Sequence, residues 1–153
     1  VEIFESLIRD FNYLQVIAIS GKNPKMKESF NNIVQKYYKE NSVKILEYTN
    51  QVPELMSISD LVVSKPGGLT TSESLASNLP MIIINPIPGQ EEENAKFLEN
   101  SGVGIWLKQK ENCDEIITEL LNNEDKLNQM RKNTELLAKK NSTMDICRTI
   151  FQQ

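Results

Sequence analysis

Apolar residues along this chain recur at two alternating periods. In "VEIFESLIRDF" (1–11), Val1, Phe4, Leu7, Ile8 and Phe11 fall at helical spacing, whereas "LQVIAIS" (14–20) is a short β-rich run bounded by Gly21. Pro24 opens a helix over 24–40, "VKILEY" (43–48) reads as a strand and "VPELMSIS" (52–59) as a short helix. The alternation continues with strand "LVVS" (61–64), a helix after Gly68, strand "MIIIN" (81–85), helix "EEENAKFLEN" (91–100) and strand "VGIWL" (103–107). From Asp114 the pattern is helical: "DEIITELLNN", "DKLNQMRKNTELLAKK" and "TMDICRTIFQQ". Five strands separated by helices predict an α/β fold, a Rossmann-like parallel sheet with helices on both faces.

A doubly wound sheet usually begins with a central strand followed by a glycine-rich phosphate loop. Here the chain opens on a helix, so the pattern predicts a sheet without its first strand, that strand lying upstream of Val1. At 153 residues the expectation is one domain, 1–153. The net charge of −4 gives no general attraction to nucleic acid, which is not expected as a partner. No apolar run approaches the ~18 residues of a membrane span, and no signal-peptide pattern opens the chain. Cys113 and Cys147 are too few and too far apart to read as a metal cluster or disulfide framework; they are expected as core fillers in a reducing, cytoplasmic setting. The chain has no histidine, so a reaction needing a histidine base must take it from elsewhere.

Candidate chemistry concentrates in "SKPGGLTTSESLASNLP" (64–80). The strand before it delivers Pro66, Gly67 and Gly68 to a carboxyl edge, where the glycines allow positive φ and close approach of a ligand to the backbone. A helix starting near Leu69 or Thr70 would present free N–H groups to a diphosphate, with Thr70, Thr71 and Ser72 as added hydroxyl donors. Lys65 either approaches the phosphates or faces solvent. Thr70 and Glu73 equally have the T-x-x-E spacing of a capping box. Helical spacing places Leu69, Ala76 and Leu79 in a core-facing stripe with Glu73 on its flank, suited to accepting hydrogen bonds from ribose hydroxyls. In "NPIPGQEEENAKFL" (85–98), Pro86, Pro88 and Gly89 make a rigid loop that puts Gln90, Glu91 and Asn94 at the same edge. Amides and carboxylates suit sugar hydroxyls; the three acids are also simply favoured in a first helical turn.

Residues 59–107, with their K-P-G-G-x-T-x-x-E and P-x-P-G-Q-E-x-x-N runs, resemble the donor-binding half of a GT-B glycosyltransferase. They are similar to the bacterial processive diacylglycerol glucosyltransferases and plant monogalactosyldiacylglycerol synthases and, at one remove, to the lipid II N-acetylglucosaminyltransferase. The resemblance implies a carboxyl-terminal UDP-sugar-binding domain in which Gly67, Gly68, Leu69 and Thr70 hold the donor diphosphate. It implies that Glu73 holds the ribose, that Gln90, Glu91 and Asn94 hold the sugar, and that Tyr48 and Thr49 contact uracil; the residues alone allow Tyr48 to be a strand-end core aromatic. The implied donor is UDP-glucose or UDP-galactose and the implied acceptor diacylglycerol, bound by an amino-terminal domain that supplies the catalytic base and lipid surface. On that basis no catalytic residue, metal or cofactor is expected in these residues, the fragment alone is expected to be inactive, and the intact enzyme is expected to be peripheral on the inner face of the membrane.

Other functions fit the same residues. One is N-acetylglucosamine transfer to a polyprenyl-linked peptidoglycan precursor, and another is a UDP-sugar 2-epimerase. A non-catalytic nucleotide-binding module predicts UDP affinity indifferent to the sugar, and an interaction domain predicts no UDP binding. The last helix (142–153), with Met144, Cys147, Ile150 and Phe151 on one face, either packs on this core or crosses back to the missing half.

Overall fold

The computed structural model describes the backbone of residues 1–108 and 113–140; the expectations for the Cys113 side chain, for Cys147 and for the helix 142–153 lie outside the described residues. The described residues divide into two compact units, 1–52 with 113–117 and 53–108 with 118–140.

In the first unit, helix α1 (Glu2–Asp10), strand β1 (Val16–Ile19), helix α2 (Pro24–Lys36) and strand β2 (Val43–Leu46) follow the expected order. β1 and β2 pair in parallel, Val16 opposite Val43 and Ile19 opposite Leu46. Strand alternation turns Val16, Ala18, Val43 and Ile45 to one face, where they pack with Phe4 and Ile8 of α1 and Phe30, Ile33 and Val34 of α2. Asn23 caps α2 by accepting from the Met26 N–H at 3.0 Å, and Pro24 occupies the first turn, where its missing N–H costs nothing. The helix stops at Lys36, short of the expected residue 40, because Tyr38 takes a left-handed φ of 54°. Lys36 reaches α1 and donates to Glu5 at 2.7 Å; this bond, with a second from Tyr37, holds the Glu5 carboxyl below its ordinary pKa.

The second unit carries helix α3 (Val52–Ser57, whose first residue belongs to the first unit), β3 (Val62–Ser64), α4 (Gly68–Ala76), β4 (Met81–Ile84), α5 (Gln90–Asn100), β5 (Gly104–Leu107), α6 (Cys113–Asn122, divided between the units) and α7 (Glu124–Lys140). Its strands run parallel in the order β3-β4-β5. The parallel α/β arrangement expected from the alternation is thus present as a pair and a trio of strands, and among the described residues no ladder joins β1 or β2 to β3, β4 or β5. Central β4 is apolar at every position, and Met81, Ile82 and Ile83 are fully buried although successive residues face opposite sides. Met81 and Ile83 pack with Leu75 of α4, Ala95 and Leu98 of α5, and Val103. Gly104 permits this contact: a Cβ there would meet Ile83 Cδ1 at 2.9 Å and the Met81 carbonyl at 3.2 Å.

Candidate functional site

Adjacent parallel strands end at the same edge, so the loops after β3 and β4 emerge side by side, with Ser64 in register with Ile83. The first loop leads through Lys65, Pro66 and Gly67 into α4. Gly67 is the N-cap, with φ −63° and ψ 152°, and α4 begins at Gly68. This corrects three expectations. Neither Gly67 nor Gly68 has positive φ, so the glycines serve no left-handed turn. The helix starts one to two residues early, which puts Thr70 at the third helical position and abolishes the capping box; among the described residues nothing donates to the Glu73 carboxylate. The buried face is Thr71, Ser74 and Leu75, not a stripe of Leu69, Ala76 and Leu79: Leu69 is 75% exposed, and Leu79, though buried, lies beyond the helix. On that face the Ser74 hydroxyl donates to the Leu79 carbonyl at 2.5 Å, which satisfies the buried serine and closes the turn after the helix.

What remains at the start of α4 is a set of backbone donors in open space. Gly68, Leu69 and Thr70 N–H have no intrahelical acceptor, and apart from the adjoining residues and the backbone of α4 itself nothing lies within 4 Å of where a Cβ would stand on Gly67 or Gly68. Of the three candidate hydroxyls, Ser72 donates to the Gly68 carbonyl at 2.9 Å and Thr71 is buried, with no partner for its oxygen, leaving half-buried Thr70 as the one suited to a ligand. Lys65 is exposed, and Glu73 is half-buried one and a half turns in.

The second loop is built differently. Asn85 (φ 40°) and Gly89 (φ 103°) both take positive φ, and the Glu91 carboxylate accepts from the Ile87 N–H at 2.7 Å, folding the loop onto the first turn of α5. Gln90 is exposed at the first position of α5; Glu93 is exposed and pairs with Lys96 at 2.8 Å, a bond that raises the Lys96 pKa. Asn94, one turn on, donates from Nδ2 to the Pro66 carbonyl at 2.8 Å and so joins the two loops. Sequence reasoning missed this bond and the Glu91 tie. The left-handed Asn85 had a legible signal, since Asn tolerates that region better than most residues.

Tyr48 and Thr49 belong to the first unit. β2 ends at Leu46, so Tyr48 sits in the turn beyond it and is 70% exposed, which removes the core-aromatic alternative. The Thr49 hydroxyl accepts from the Gln51 N–H at 3.1 Å, and Lys22 Nζ stands 5.4 Å from the Tyr48 ring centre. Beside them Gly21, Lys22, Asn23, Pro24, Lys27 and Glu47 line a cavity of about 300 Å³. Lys27 donates to Glu47 and holds its carboxyl below the ordinary pKa. From sequence, Gly21 was only a strand boundary.

Residues 4–148 match the family model of the glycosyltransferase family 28 C-terminal domain. The chain is 37% identical over 152 residues to the processive diacylglycerol beta-glucosyltransferase of Bacillus subtilis (strain 168), covering 99% of this chain and 39% of that protein. It thus spans about two fifths of the length of the curated relatives it matches. Among solved structures it resembles WaaG, a glycosyltransferase involved in lipopolysaccharide biosynthesis, at a TM-score of 0.69 and 17% identity over 93% of this chain and 38% of WaaG. It also resembles HepE from Anabaena, solved in complex with UDP, at a TM-score of 0.69 and 18% identity over 99% of this chain and 44% of HepE. Those two likenesses establish the fold, that of the GT-B glycosyltransferases.

Proposed function

The chain belongs to the glycosyltransferase family 28 C-terminal domain, and from that premise we propose that it is the donor-binding part of an inverting enzyme that moves glucose from UDP-glucose to diacylglycerol. The names of the curated relatives favour glucose over galactose. The observation that carries the proposal is the start of α4: three N–H groups without intrahelical acceptors, at the positive end of a helix dipole, behind two glycines whose surroundings are open. That is where a donor diphosphate gains charge as the glycosidic bond breaks, and oriented N–H groups stabilise it without reorganisation.

The residue roles follow the family pattern. Gly67, Gly68, Leu69 and Thr70 hold the diphosphate, Glu73 the two ribose hydroxyls, and Tyr48 and Thr49 the uracil. Gln90, Glu91 and Asn94 hold the glucose, Glu91 with the carboxylate oxygen not bonded to Ile87 and Asn94 with its amide oxygen. A base in the acceptor-binding domain deprotonates the diacylglycerol hydroxyl, which attacks the anomeric carbon in line as UDP leaves. No cofactor is called for. Among the described residues no helix is long and apolar enough to cross a membrane. The reading of the acceptor as diacylglycerol is what puts the intact enzyme at the inner membrane face, through its lipid-binding half.

Calorimetric titration of UDP, UDP-glucose, UDP-galactose and UDP-N-acetylglucosamine into the protein and its Glu73→Ala variant tests the proposal. Saturable UDP binding is expected, tightened by glucose and weakened by more than ~1 kcal/mol in the variant. Absence of UDP binding by the folded protein overturns it, and a preference for N-acetylglucosamine would reassign the donor.

A further inference from the structure

We infer that Asn94 is a positioning residue for the phosphate-binding loop: through the Pro66 carbonyl it sets the direction of the Gly67 N–H and keeps the Thr70 N–H free. This rests on the donor-site proposal above and goes beyond it, because Asn94 then acts on the nucleotide as well as on the sugar.

The bond joins groups 28 positions apart, Asn94 Nδ2 to Pro66 O at 2.8 Å. Pro66 is fully buried, so its carbonyl needs a partner inside the protein. It lies outside the hydrogen-bond ladder of α4, whose first bond runs from Thr71 N–H to Gly67 O at 2.8 Å. The partner that continued helix would offer is Thr70 N–H, the donor four residues on. Winding that extra turn would consume one of the donors the diphosphate needs. Asn94 satisfies the carbonyl from the side and leaves Thr70 N–H free.

The peptide plane carries the effect further. In a trans peptide the carbonyl and the following N–H point in opposite directions within one rigid plane. Holding Pro66 O toward α5 therefore points Gly67 N–H away from α5. Gly67 and Gly68 have no side chains to pack, so apart from the bonds that Thr71 N–H and the Ser72 hydroxyl make to their carbonyls, the tie at Pro66 is what fixes this segment from outside α4. A glycine pair leaves its backbone accessible to a ligand but packs no side chain, and Asn94 supplies a hold from a neighbouring helix, at a residue proposed above to contact the sugar.

Asn94→Leu tests this, because it keeps the side chain's approximate size and its neutrality while removing the N–H that reaches Pro66. We expect affinity for UDP to fall about tenfold or more and that for UDP-glucose at least as far, with the Gly67 and Gly68 amide resonances displaced and those of Gly21 unmoved. UDP affinity within twofold of the parent, with UDP-glucose alone weakened, would make Asn94 a sugar contact only and overturn the inference. Because a variant can misfold, the parent protein supplies a second arm: a scalar coupling between Asn94 Nδ2 and the Pro66 carbonyl carbon, with slowed exchange of the Asn94 carboxamide, is expected, and free exchange without coupling overturns the inference. If the parent binds no UDP, the donor-site proposal fails by itself, while this coupling still decides whether Asn94 holds the loop.

Discussion

The two loops at the carboxyl edge of the β3-β4-β5 sheet do the same topological job by opposite means. The loop after β3 reaches α4 through ordinary φ values and glycines in open space, and its buried carbonyl is held from outside by Asn94. The loop after β4 reaches α5 through two left-handed residues, Asn85 and Gly89, and is tied to itself by Glu91 and Ile87. Glycine therefore means different things in the two: conformation at Gly89, access at Gly67 and Gly68. A loop that must leave its amides free for a ligand cannot spend them on its own order, so the order comes from a neighbour.

Substitution at each loop separates these meanings. Gly89→Ala is expected to have the largest effect on stability, a loss of about 1–3 kcal/mol, because φ 103° with ψ −124° is open to glycine almost alone; equilibrium urea unfolding measures it, and an unchanged midpoint would mean the loop adopts another conformation. Glu91→Gln replaces a charged acceptor by a neutral one and is expected to remove about 1 kcal/mol or less while speeding exchange of the Ile87 amide. Native-state hydrogen exchange reads that change directly, and a protected Ile87 in the variant would assign the order to Pro86 and Pro88 instead. Gly67→Ala is expected to change stability least, a loss of about 0.5 kcal/mol, since φ −63° suits alanine and no neighbour stands in the way but alanine is a poorer N-cap than glycine. Its cost is expected in UDP affinity, where the new methyl group stands over the donors; a variant that is both stable and fully able to bind would show that the ligand approaches from another side.

Legibility tracked how local each signal was. All five strands were found within two residues of their ends, and the starts of α2 and α5 to within one, because Gly, Pro and Asn punctuate them chemically at the sites themselves. The start of α4 was not: Thr70 and Glu73 offered a cap, yet the helix begins behind a glycine with no side-chain cap. Its packing face was misread for a related reason. Leu69 and Ala76 suggested a stripe, but the surface against α4 accepts Thr71, Ser74 and Leu75, and hydroxyl residues carry no periodic hydrophobic signal. The candidate residues were legible as residue types, amides and carboxylates near two glycine-bearing loops, while the use each makes of its atoms was not.

By itself the sequence determined the order and kind of the elements, the parallel α/β class and the positions of both edge loops, since apolar period and turn residues act over a few bonds. The tertiary structure alone decided which strands pair, which face of α4 is buried and that Asn94 reaches Pro66. Those outcomes depend on groups tens of residues apart competing for the same buried space and the same hydrogen-bond partners, and only the packed chain settles that competition.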